Sequence, residues 1–150
     1  MTFPTIFGNA DNELKYTRTN SYMALANECF SKQCAFMLLM CPGAFTIIDV
    51  RSEAEYNKSH INEAYNIPFD FQTTPFVDTD AFAKIMQSRP GTIAVVYCSS
   101  SLCKKALFSA TMFAYVGYDP NKGGSAYPVR VLAAGFDECL NNEKLKTLIV

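Results

Sequence analysis

The chain has 150 residues, of which 49% are hydrophobic and 18% charged, and its formal net charge is -1. That balance fits one domain with a core of its own and excludes a disordered chain. With so little net charge, bulk electrostatics gives no reason to expect a nucleic acid or an anionic membrane as partner.

Residues 1–18 mix Pro, Gly, Asn and Asp with isolated aromatics and read as an arm, leaving 19–150 as a single domain. Met1 to Gly8 contains neither a basic stretch nor a sustained apolar one, so no secretory signal is expected. The longest apolar run, Cys34 to Met40, falls well short of the roughly 20 residues needed to span a bilayer. A cytoplasmic setting with reduced cysteines is the expectation. The cysteines at 29, 34, 41, 98, 103 and 139 include no C-x-x-C pair, and the only histidine is His60, so no metal site is expected.

From Asn20 to Met40 the pattern is helical, with Met23, Ala26, Phe30, Cys34, Met37 and Leu38 on one stripe, read as core filler, and Pro42-Gly43 as the stop. Thr46 to Val50 then reads as a buried strand whose carboxyl end carries Asp49 and Arg51. Charges there need partners, and two roles stand: an ion pair that fixes the loop, or a wall of the site. Ser52 and Glu55 have capping-box spacing, predicting a short helix immediately after the strand. His60 is read as a hydrogen-bonded turn residue before a short strand, Tyr65 to Pro68. An aromatic-rich loop (69–78) leads to a helix capped by Thr79 or Asp80, with Phe82, Ile85 and Met86 facing inward.

Ile93 to Tyr97 is a short β-branched run of the kind buried on both faces of a parallel sheet. Cys98 follows it, then Ser99, Ser100, Ser101, Leu102, Cys103 and Lys104, and a helical pattern (Ala106, Ala110, Phe113, Ala114) predicted to begin near Leu102 and stop at Gly117. A cysteine just before a helix N-terminus meets unpaired N–H groups and the positive end of the helix dipole, which favour the thiolate. Small serines let successive amides turn toward one point. Cys98 is therefore expected to present an ionised sulfur to main-chain donors at an open pocket. The bland alternative is a small apolar side chain closing a strand.

After a Gly- and Pro-rich connection, Val129 to Leu132 reads as a strand, and Phe136, Cys139, Leu140 and Leu145 as the apolar positions of a closing helix. Alternating strands and helices imply an α/β fold with a mainly parallel sheet, flanked by helices on both faces, whose sites lie at the carboxyl ends of strands. Asp49, Arg51 and Cys98 all occupy such ends.

These segments resemble the rhodanese-like family. Thr46-Ile47-Ile48-Asp49-Val50-Arg51, with Glu55-Tyr56, Ser59-His60-Ile61, Ala64 and Asn66-Ile67-Pro68, looks like its first signature; Val96-Tyr97-Cys98 with Ala106 is similar to its active-site segment; Gly117-Tyr118 and Val129 to Phe136 resemble its closing one. The resemblance implies a sulfurtransferase without a metal or organic cofactor. Cys98 would take sulfane sulfur from a small donor, hold it as a persulfide among the amides of the loop from Ser99 to Cys103, and pass it to a thiol or a protein acceptor.

Many active members carry a basic residue directly after the cysteine or five positions on, where this chain has Ser99 and Cys103. Thiosulfate is accordingly disfavoured as donor, and Lys104 and Lys105 are the cations available instead. Cys103 itself has two readings, a resolving thiol that closes a disulfide on Cys98 or a small core residue. Two rival functions stand beside this one. A cysteine-dependent phosphatase or arsenate-reductase-like enzyme would place Lys104 where that branch has arginine, losing the bidentate grip on an oxyanion. The other rival is a non-catalytic binding or regulatory module.

Overall fold

The computed structural model describes Leu38 and residues 41–150, except positions 75, 101, 102, 123, 125, 133 and 134. The arm and most of the helix expected over Asn20–Met40 lie outside the described residues. Leu38 is helical and buried.

Among the described residues, four strands, β1 (Phe45–Asp49), β2 (Tyr65–Asn66), β3 (Ile93–Tyr97) and β4 (Val129–Val131), form one sheet in the order β2-β1-β3-β4. Every neighbouring pair is parallel, with Ile48 opposite Val96 and Val96 opposite Val131. Parallel strands need crossovers, and three helices lie within them: α1 (Glu53–Lys58), α2 (Thr79–Ser88) and α3 (Lys105–Ala114); α4 (Gly135–Leu140) follows the last strand. Alternation along the strands splits the core in two. Ile48, Val50, Ala94, Val96, Val129 and Val131 pack against Phe82 and Met86 of α2 and Ala110 and Phe113 of α3. Ile47, Val95 and Tyr97 face the other way, toward Phe136 and Cys139 of α4 and Leu145 and Leu148 beyond it. The fold is the expected α/β arrangement, and no helix among the described residues is long and apolar enough to cross a membrane.

Local chemistry sets the boundaries. The Ser52–Glu55 capping box forms as its spacing predicts and starts α1. Helix α2 is capped one residue earlier than expected, by Asp78, whose carboxylate accepts from the Ala81 N–H at 3.0 Å and leaves Thr79 as the first helical residue. Strand β2 is shorter than Tyr65 to Pro68, since Pro68 has no N–H to give to a ladder. The helix after Cys98 begins at Lys105 and not near Leu102, because the Cys103 N–H donates to Ser100 O at 3.1 Å and folds the chain into a turn first. The closing helix also stops sooner than its apolar pattern suggests. Leu140 is exposed, and Asn142 Oδ1 accepts from the N–H groups of Lys144 and Leu145, opening a separate 3-10 turn that buries Leu145.

Candidate active site

The carboxyl ends of β1 and β3 lie side by side, with Asp49 opposite Tyr97 in the ladder. Asp49 and Arg51 are both buried. The Arg51 guanidinium donates to the Asp49 carboxylate from Nε (3.1 and 3.2 Å) and Nη2 (2.8 Å), while Nη2 also reaches Ser59 O at 2.6 Å. Tyr97 Oη donates to Asp49 Oδ2 at 2.7 Å and accepts from the Ile61 N–H at 3.0 Å. Burial pulls the guanidinium's pKa down, but the hydrogen bond and charge of Asp49, with Tyr97, outweigh it and leave Arg51 above its ordinary value. Burial, then the charge and hydrogen bond of Asp49, push the Tyr97 phenol far upward, so it stays a donor. Of the two roles open for Asp49 and Arg51, this geometry is that of a structural pair. Asn66 Nδ2 ties the carbonyls of Asp49 and Arg51 together from outside, each at 3.0 Å.

Cys98 continues β3 on the opposite side. It belongs with Val96, Ala106 and Phe113, and Cys103 packs against the same cluster. Only 1% of Cys98 is exposed, and its sulfur is joined to that of Cys103 in a disulfide across the loop, with the two Cα atoms 6.3 Å apart. That separation lies within the usual range of a disulfide. Two expectations are thereby corrected. The cysteines are not all reduced, because a tight turn between positions 98 and 103 brings this pair of sulfurs into bonding range. Nor does Cys98 stand at an open pocket as a thiolate: strand alternation turns it inward, and Cys103 covers the sulfur from outside. Ser99 Oγ stays close to Cys98 Sγ, at 3.7 Å.

An open cavity of about 760 Å³ lies on this same side, between the 66–81 segment and α3, lined by Ile67, Val77, Asp78, Asp80, Phe108 and Met112 among others. Cys98 is not in its lining, although Ile67 and Val77 share the sulfur's apolar cluster. No Lys or Arg stands among the described lining residues. Lys105 opens α3, but its ammonium is engaged by Asp70 at 3.5 Å, and that carboxyl is held below its ordinary range chiefly by the N–H groups of Gln72 and Thr73. Lys104 is exposed at the N-cap of α3 without a side-chain capping bond. Ser100 belongs to the turn closed by the Cys103 N–H; Ser101 and Leu102 lie outside the described residues. His60 is a turn residue: Nδ1 lies 2.7 Å from Tyr56 O and the ring stacks on that of Tyr56.

The model of the rhodanese-like domain matches residues 37–142. The chain belongs to the rhodanese-like family. Similar solved structures include a protein from Bacillus halodurans, 20% identical over 69% of this chain and 64% of that one, with a TM-score of 0.45. A full-length protein from Lactobacillus plantarum is 16% identical (82% and 88% covered, TM-score 0.45), and an uncharacterized protein from Saccharomyces cerevisiae is 19% identical (77% and 88%, 0.45). None of the curated proteins matches the chain.

Reading the residues alone missed three members of this site. Tyr97 was only a strand residue, yet strand alternation puts it on the face opposite Cys98, where Asp49 needs a donor. Asn66, a polar amide in a short strand, and Phe136, an apolar helix position, gave no local sign of the Asp49 and Arg51 groups they meet.

Proposed function

We propose that this rhodanese-like domain is a sulfurtransferase in which Cys98 receives sulfane sulfur and Cys103 resolves the product. The observation that carries the reading is the pairing of the two sulfurs within one loop at the carboxyl end of β3. In the reduced protein the Cys98 thiolate attacks the sulfane sulfur of a donor, forming the Cys98 persulfide and releasing the donor's remaining thiolate. The Cys103 thiol then attacks Cys98 Sγ. A Cys98–Cys103 disulfide forms, the bond to the outer sulfur breaks, and that sulfur leaves as hydrosulfide carrying the Cys103 proton. Both cysteines have been oxidised and the sulfane sulfur reduced; an external dithiol returns the pair to the thiol state. Where an acceptor thiol arrives first, the persulfide is passed to it instead.

The neighbouring cavity supports an uncharged or apolar sulfur donor over thiosulfate. Its walls are mainly apolar, and the charged side chains among the described ones, Asp78 and Asp80, repel a divalent anion. The test is sulfide release from the reduced protein with an alkyl hydropersulfide or with thiosulfate. One equivalent of sulfide from the hydropersulfide, lost in both Cys98→Ser and Cys103→Ser, is expected; release that persists in Cys98→Ser overturns the reading.

A further inference from the structure

Three backbone hydrogen bonds around the loop fix the direction of its peptide planes. The Phe136 N–H donates to Cys98 O at 2.9 Å, the Asp137 N–H to Ser99 O at 2.7 Å, and the Cys103 N–H to Ser100 O at 3.1 Å. The first two donors belong to the opening turn of α4, where backbone N–H groups have no partner inside the helix. In a trans peptide the N–H points opposite to the C=O of the same plane, and none of the described peptides is cis. With the carbonyls of Cys98 and Ser99 turned toward α4, the amides of Ser99 and Ser100 must point away from it. Away from α4 is the side of the sheet on which Cys98 packs: α4 presents Phe136 to the Tyr97 face, and Cys98 belongs to the opposite cluster.

The contact that permits this is unusually close. A Cβ on Gly135 would sit 2.7 Å from Ser100 Cα and 2.9 Å from the Ser100 carbonyl carbon, and Gly135 has φ of +66°. Any side chain here both strains the backbone and pushes the loop off the helix. The next residue is held from behind. The Arg51 guanidinium lies 3.9 Å from the centre of the Phe136 ring, and Arg51 is itself fixed by Asp49.

We infer that the first turn of α4 is a clamp that aims the amides of Ser99 and Ser100 at the Cys98 sulfur, with Gly135 as its positioning residue. The inference rests on the proposed role of Cys98 as an activated thiolate. Two amides directed at the sulfur stabilise its anionic form, whether thiolate or persulfide, and lower its pKa. Loosening the clamp leaves both cysteines in place but removes that stabilisation.

The experiment is the pH dependence of iodoacetamide alkylation at Cys98 in the reduced protein, resolved by peptide mass spectrometry, with circular dichroism to verify the fold. In the parent, Cys98 is expected to titrate well below about 8.5, the value of a free thiol. Gly135→Ala raises that midpoint by about one pH unit or more, cutting the thiolate fraction roughly tenfold at pH values well below both midpoints. Should Gly135→Ala fail to fold, Asp137→Pro decides, since it deletes only the donor to Ser99 O at a helical first turn that tolerates proline. Asp137→Asn keeps the amide and removes an exposed charge, and is expected to leave the midpoint in place. A low parent midpoint that neither Gly135→Ala nor Asp137→Pro shifts overturns the clamp while sparing the role of Cys98. A parent midpoint near 8.5 overturns both.

Discussion

The side chain that ends β3 and the one that follows it point to opposite faces and meet opposite environments. Tyr97 enters a polar network in which Asp49, Arg51 and Ile61 exchange hydrogen bonds of 2.7 to 3.2 Å, backed by the Phe136 ring. Cys98 enters an apolar cluster in which its one bonded partner of note is the Cys103 sulfur. The first environment suits groups that must hold one geometry, because a buried charge pair is stable only where its hydrogen bonds are made. The second suits a sulfur that changes partners, because an S–S bond can be exchanged without unsatisfying any buried charge. The two residues are consecutive in the chain, so the rigid side sets the position of the reactive one.

The largest effect is expected from breaking the polar side. Asp49→Ala leaves Arg51 buried without its counter-charge, and should lower the unfolding free energy measured in urea by about 3–5 kcal/mol. A loss under about 1 kcal/mol would mean that Arg51 finds water or another partner, and the contrast between the two faces would fail. A smaller effect comes from pH. Burial, with the charge of Glu138, raises the thiol of Cys139, on the buried face of α4, from 9.0 to about 11. Between these values the folded state binds more protons than the unfolded one, so the contribution is full below pH 9 and is lost as pH rises toward 11. Over that window stability should fall by about 2–3 kcal/mol from this group, and Cys139→Ala should flatten that part of the curve. The smallest effect, and the control, is Ser52→Ala. It removes the cap of α1 for about 1 kcal/mol and should leave the alkylation midpoint of Cys98 where it was.

Much of this fold is legible in the chain because its signals are local. The β-branched runs ending at Asp49 and Tyr97, the Ser52–Glu55 spacing and Gly117 each act within a few residues, and the alternation of strands with helices implies a mainly parallel sheet. The site was legible only in part. That Asp49 and Arg51 needed partners could be read from charge at a strand end, but Tyr97 and Phe136 come to them from 48 residues away and from α4, through pairing that no local pattern encodes. The burial of Cys98 was misread for a related reason. A helix start near Leu102 would have left the sulfur uncovered, whereas the turn closed by Cys103 lays a second sulfur over it.

The central claim is that Cys98 carries a sulfane sulfur and Cys103 removes it. Intact-mass analysis of the reduced protein after brief exposure to an alkyl hydropersulfide tests this most directly. Cys103→Ser should gain the mass of one sulfur atom, located at Cys98 and removed by dithiothreitol, while the parent returns to the mass of its disulfide with none added. An adduct that survives in Cys98→Ser, or a parent that holds the extra sulfur as long as Cys103→Ser does, would contradict it.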